Sequence, residues 1–421
     1  LKFKSQAGYF SEKGELSLKI SKKEWLPQLD VFRALAILGV LSVHASSYAA
    51  GVQALSSPFY YVYNFMNIFF KFGTSSFIFL SGFVLFYTYY ERPVTVSLVA
   101  RFYRRRLTYI IIPYVIASIC YFLYSKYIMR ELMGVPYVEL WVDLRNALLT
   151  GTAYTHLYFV AISIQFYILF PFILKLFQWK PWIVKWAIPL ALALQWGFVF
   201  YNKYSLHLPN KGSLAITYLA YYITGAYLAI HFDRIKPWLM NRWELLTQRQ
   251  KRWTITLWSS WFVVALLHVQ VWYVTRTTGN TIHTQGYELI WNVHAMLSAL
   301  VLLHATFLIY RKFSRKIVAF LTRMGELSFA IYLLHPMVLA QYRRFRYHIE
   351  PDSLGYLAFI IGGLLVTLLV TWAIVQFCFR RISWSWVCLG TVPRSLSPKV
   401  KHKHLWRPYK DGKCLSEKYK I

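Results

Sequence analysis

The chain has 421 residues, of which 57% are hydrophobic, 19% aromatic and only 15% charged. Its mean hydropathy is positive, which excludes an ordinary soluble two-domain protein and points to a chain that lives in lipid. The net charge of +31 does not indicate nucleic acid, because the basic residues fall between apolar runs, where they set membrane orientation.

In chain order, residues 1–28 are polar and lysine-bearing and read as a cytoplasmic tail with no apolar signal-peptide core. The first span covers 29–50. A Gly/Ser/Pro linker leads to a long return segment, 59–90, whose polar middle, Lys71 to Ser76, predicts a break or kink. A basic cluster, Arg101, Arg104, Arg105 and Arg106, precedes a third span over 107–129, and the loop 130–155 is amphipathic enough for a short interfacial helix. Further spans are predicted at 156–177, 182–201, 214–232, 253–275, 288–310, 327–340 and 355–379. The 327–340 span is short and carries Pro336.

The predicted fold is therefore all-α: a polytopic membrane protein of about ten transmembrane helices in the cell membrane. A membrane domain of 29–380 lies between the 1–28 tail and a basic tail, 381–421. Segments assigned to the inside hold 34 lysines and arginines and those assigned to the outside hold 8, which predicts both termini cytoplasmic. The outer trio Arg343, Arg344 and Arg346 runs against this rule. Four cysteines show neither disulfide nor zinc spacing, and no metal site is expected.

The first span carries the densest chemistry. Asp30 lies one turn from Arg33, and eleven residues separate Arg33 from His44, so all three share one helix face. Arg33 and His44 are then about 16 Å apart along the axis. Ionisable residues at both ends of a membrane helix fit a polar path through the protein. A histidine titrating near neutrality suits the removal of a proton from a hydroxyl. A lone membrane histidine also serves as a cap or a headgroup contact, and Arg33 as a snorkelling cation; the shared face favours function for both.

Five blocks in order carry a resemblance: Asp30-x-x-Arg33-x10-His44; Phe79-Leu80-Ser81-Gly82-Phe83; the run from Phe102 through Arg106 to Pro113-Tyr114; His156-Leu157-Tyr158-Phe159 with Gln165 and Tyr167; and Ser328 through Tyr332 to His335-Pro336. Together they resemble the membrane acyltransferase-3 family, and the third block looks most like its Gram-positive exopolysaccharide and wall-polymer branch. The resemblance implies transfer of an acyl group, acetyl or succinyl, from cytoplasmic acyl-coenzyme A to a hydroxyl of a glycan or wall polymer outside. Acyl-coenzyme A is then a co-substrate, with no tightly bound cofactor; membrane lipid and polysaccharide-synthesis proteins are the expected partners. Where the family carries a second arginine this chain has Tyr109, so only Arg106 of that pair carries over.

The expected catalytic residues are His44, Arg33 and Asp30, with Arg101, Arg104, Arg105 and Arg106 on the donor side. A basic run before a span also works simply as a topology signal. Lys71, Ser81, Gly82, His156, Gln165, Tyr332 and His335 are expected along the path or toward the acceptor. Within that set, Ser81-Gly82 reads first as a small-residue helix contact, and Lys71 as either an oxyanion partner or the end of a broken helix. His335, placed about eight residues into its span, reads with His268, His294 and His304 as a hydrogen-bonded core histidine. Two alternatives stand beside this reading: a polysaccharide or lipid-linked sugar flippase using the same polar path without chemistry, and a non-catalytic partner that organises a polysaccharide synthase complex.

Overall fold

The computed structural model describes residues 23–52, 55, 57–128 and 137–396. They form a helical bundle with no strand among them. The helices are α1 (Gln28–Val52), α2 (Tyr60–Phe69), α3 (Gly73–Tyr89), α4 (Val96–Arg106), α5 (Ile112–Ile128), α6 (Tyr137–Thr150), α7 (Tyr158–Trp179) and α8 (Pro181–Tyr201). They continue as α9 (Leu219–Ile230), α10 (Phe232–Met240), α11 (Gln248–Thr278), α12 (Thr284–Lys312), α13 (Arg315–Tyr342), α14 (Leu354–Arg381) and α15 (Trp386–Leu389). Nine helical stretches among the described residues are long and apolar enough to cross a membrane, and Ala215–Ile230 makes a shorter apolar tenth. The protein is a multi-pass membrane protein, with α9 standing where the sequence predicted a full span.

Helix α1 is the axis of the bundle, packed by α2, α3, α12, α13 and α14. Its inward residues Val31, Phe32, Ala34, Ala36 and Ile37 are fully buried. The predicted break in the second segment falls at Phe70–Phe72, between α2 and α3. The loop 130–155 contains α6, as expected, with residues 130–136 outside the described part.

Two boundaries differ from the sequence reading. The basic cluster does not precede a span but lies inside α4, which Thr95 caps by accepting from the Leu98 N–H. A π-helical turn, Leu107–Ile111, then carries the chain into α5 without a stop. The short span expected at 327–340 is the second half of α13, a 28-residue helix capped by Ser314. Its charged first half extends the helix beyond the apolar stretch.

Glycine sets the contact between α3 and α9. Helices α3 and α9 approach so tightly that a Cβ at Gly82 would overlap the Tyr222 carbonyl oxygen, and one at Gly225 the Phe79 carbonyl oxygen. Lipid tails are as apolar as the side chains they would replace, so such contacts, rather than hydrophobic burial, hold membrane helices together. Gly225→Val should therefore separate α3 from α9 at a cost of about 1–3 kcal/mol. The expected result is a lower melting temperature of the detergent-solubilised protein by scanning fluorimetry; an unchanged transition would contradict the contact.

Candidate active site

A cavity of about 550 Å³ opens beside the start of α1. Asp30 and Arg33 of α1 line it, with Ser81 of α3, Arg106 of α4, Tyr167 of α7 and Tyr332 of α13. Its walls deeper in are apolar, including Phe77, Leu80, Val84, Phe159 and Val160. The Arg33 guanidinium donates to the Asp30 carboxylate, one turn away and buried. Gly325 of α13 fixes that turn from behind, since any Cβ there would collide with the Asp30 carbonyl.

The charges in this lining do not balance. Asp30 is taken by Arg33 and Glu24 pairs with Lys236 at 3.2 Å; Glu326, without a cationic partner among the described residues, accepts the Ser395 N–H at 3.2 Å through one oxygen and buries the other unpartnered. Lys23 pairs with Glu91 at 2.5 Å. Arg92, Arg106 and Arg394 also line the cavity; among the described residues none has a carboxylate partner, and each stacks on an aromatic ring instead. Arg92 lies 5.5 Å from the Tyr89 ring, Arg106 lies 4.7 Å from Tyr167 and 5.3 Å from Phe102, and Arg394 lies 4.7 Å from Trp25. Such stacking orients a guanidinium while leaving its N–H edge free.

The expected donor cluster therefore divides. Arg106 faces the cavity because Phe102, one turn earlier, points inward and is buried. Arg101, Arg104 and Arg105 lie on the exposed side of α4 and do not line the cavity; Arg101 donates to the Ser97 carbonyl of its own helix at 3.2 Å. Arg92 and Arg394 were not anticipated. Arg394 belongs to the segment after α14, which returns along α5 through α15 and contributes Leu389, Thr391, Val392 and Pro393 to the wall.

At the other end of α1 three histidines meet. The half-buried His44 ring lies 5.1 Å from that of His335, which is 5.5 Å from that of His156. His335 is not mid-helix in a short span: because α13 begins at Arg315, His335 stands twenty residues along it and reaches the level of His44. Tyr332, one turn before His335, links the two regions. Its ring lines the cavity, lies 5.2 Å from the His156 ring, and its hydroxyl donates to the His156 carbonyl. Two of the three outer arginines have a place here: Arg343 donates to the His44 carbonyl and Arg346 stacks 4.3 Å from the Tyr48 ring, while Arg344 is exposed.

The remaining predicted residues separate by role. Ser81 lines the cavity, while Gly82 makes the helix contact. Lys71 sits exposed at the α2–α3 break, 5.2 Å from the Trp272 ring, and does not line the cavity. Gln165 anchors the loop before α9, donating to the Ser213 carbonyl at 2.8 Å and accepting from the Ala215 N–H at 2.9 Å. His268 and His294 bond to each other through Nδ1 at 2.9 Å, and His304 accepts from Trp258 at 3.2 Å.

With this geometry in place, residues 26–376 match the family profile described as "Acyltransferase domain". The chain belongs to the acyltransferase-3 family. Relatives in Staphylococcus aureus strains MSSA476, MW2 and N315 are each 24% identical to this acyltransferase-3 protein over 305 residues, covering 69% of this chain and 77% of the relative. Each is named "Probable poly-beta-1,6-N-acetyl-D-glucosamine export protein". No solved structure matches the chain.

On the orientation that the lysine and arginine distribution predicts, the cavity mouth faces the cytoplasm. In a variant without native cysteines, Thr88→Cys should then react with a membrane-impermeant maleimide only from the cytoplasmic face of inverted vesicles. Labelling in intact cells would reverse the topology.

Proposed function

We propose that this acyltransferase-3 protein moves an acyl group from cytoplasmic acyl-coenzyme A to a hydroxyl of an extracytoplasmic glycan. The observation that carries the reading is the set Arg92, Arg106 and Arg394: three guanidiniums without acidic partners on one cavity. A coenzyme A nucleotide bears several phosphate charges, and each stacked guanidinium offers a planar fork of donors to them. Arg33, held by Asp30 farther in, meets the donor arm beyond those phosphates. It lies about 16 Å along α1 from His44, so its role is to hold the donor rather than to act at the reacting carbon.

The pantetheine arm runs along the apolar wall toward Tyr332, where the thioester comes within reach of the histidines. There His44 acts as general base on the acceptor hydroxyl. As its proton passes to His44, the hydroxyl oxygen bonds to the acyl carbon; the carbon–sulfur bond then breaks and the proton ends on the coenzyme A sulfur. The products are an acylated glycan and the free thiol. A cavity filled by the donor excludes water, which protects the thioester from hydrolysis.

The second reading, polysaccharide export, is favoured by the names of the staphylococcal relatives. The two differ in one product. With purified protein in liposomes, acyl-coenzyme A and a β-linked N-acetylglucosamine oligomer, acyl transfer releases thiol in step with acylated oligomer, whereas export moves oligomer across the bilayer and releases none. Removing a charge-assisted hydrogen bond costs about 1.5–3 kcal/mol. Arg106→Gln and Arg394→Gln should therefore each raise the donor Michaelis constant roughly tenfold or more, with little change in the acceptor constant. Arg104→Gln and Arg105→Gln, on the exposed face, should leave both constants unchanged. Oligomer transport without thiol release from acetyl-, succinyl- or longer acyl-coenzyme A would decide for export.

A further inference from the structure

A proline inside a helix leaves one carbonyl, four residues upstream, without its N–H partner. In α13 the proline is Pro336 and the carbonyl is that of Tyr332. That carbonyl is taken by the side chain next to the proline: Nδ1 of His335 lies 2.8 Å from the Tyr332 oxygen and 3.2 Å from the Ile331 oxygen. Both partners only accept, so Nδ1 carries the proton, and a neutral ring must keep its lone pair on Nε2. The ring is fully buried, and its Nε2 has no partner among the described residues. The His-Pro dipeptide thus fixes one tautomer of one imidazole.

The groups around that lone pair are few. The rings of His44 and His156 lie nearest, 5.1 and 5.5 Å from the His335 ring, on α1 and in the turn before α7, and both ring nitrogens of His156 are likewise buried without a partner among the described residues. Tyr332 is on its own helix, and Tyr121 and Tyr154 pack 5.0 and 5.8 Å from the His156 ring. Arg343 reaches only the His44 carbonyl. Among the described residues no carboxylate bonds to any of the three imidazoles. A general base needs a third group to orient it, and here none of the usual acidic kind is present. The His44–His335 ring separation of 5.1 Å nearly equals the 5.2 Å of His268 and His294, which are hydrogen-bonded at 2.9 Å in the same fold.

We infer that His335 is the positioning residue for His44: its Nε2 lone pair accepts one N–H of His44 and so aims the other His44 nitrogen, unprotonated, at the acceptor hydroxyl. The inference rests on the acyl-transfer reading for its role, but not for its tautomer. Bonds of this kind commonly tighten only when substrate is bound. Proton balance is unchanged, since His335 accepts a hydrogen bond and no proton moves onto it.

Three variants and one spectrum test this. His335→Phe keeps an aromatic ring but has no acceptor, and should lower kcat roughly 10²-fold with an unchanged donor Michaelis constant. His335→Gln restores an acceptor oxygen and should recover about tenfold of that loss. Pro336→Ala supplies an N–H that competes for the Tyr332 carbonyl and should lower kcat without altering either ring. In histidine-selective ¹⁵N spectra of the full chain in lipid, the wild type should show a neutral Nδ1–H histidine signal that vanishes in His335→Gln and weakens in Pro336→Ala. Equal kcat for the Phe and Gln variants at equal stability, or an Nε2–H signal for His335, would overturn the inference. If the tautomer is as stated but the wild type transfers no acyl group, the enzymatic reading fails and the positioning role fails with it.

Discussion

Asp30 carries a carboxylate inside a membrane domain, and among the described residues its side chain is hydrogen-bonded to Arg33 alone, on the next turn of the same helix. Only the carboxylate is buried: Arg33 is about a third exposed to the cavity, so the loss that matters is that of Arg33, which would leave the Asp30 charge without a counter-ion. The surrounding structure keeps the pair together. Gly325 brings α13 against the Asp30 backbone, and the Thr306 hydroxyl of α12 donates to the Gln28 carbonyl at 2.6 Å. The start of α1 is thereby fixed against two helices, and the cavity takes its inner wall from that arrangement.

Charge is handled differently at the two ends of α1. At the cavity Asp30 and Glu24 are ion-paired, and the three arginines presented on aromatic rings outnumber the one unpaired acid of the lining, Glu326. At the far end the polar groups are imidazoles, and the nearest guanidinium, Arg343, is spent on a main-chain carbonyl. A multiply charged ligand suits the first environment and a neutral hydroxyl the second. Tyr332 spans the two, with its ring on the cavity and its hydroxyl on His156.

Much of this was legible in the sequence, for reasons of periodicity. Asp30, Arg33 and His44 share a face because helical spacing requires it, and the break near Lys71 followed from polar residues inside an apolar run. The same spacing argument, applied to α4, separates Arg106 from Arg101, Arg104 and Arg105 through its neighbour Phe102; treating the four as one cluster missed that. His335 was placed too shallow because Arg315, Lys316, Arg323 and Glu326 resemble a loop by composition, although Ser314 is a standard helix cap. Arg394 was beyond reach. Nothing local shows that a basic segment after the last span folds back, because the contacts that return it, with α5 and with Trp25, are distant in sequence.

In the proposed mechanism one cavity carries a phosphate-bearing acyl donor from the arginines to the histidines. An electron cryo-microscopy structure of the full chain in nanodiscs, with a non-hydrolysable thioether analogue of acetyl-coenzyme A, tests it most directly. Nucleotide density is expected against Arg92, Arg106 and Arg394, with the arm passing Arg33 and ending beside Tyr332. Ligand density bound elsewhere, or an empty cavity at saturating analogue, would contradict it.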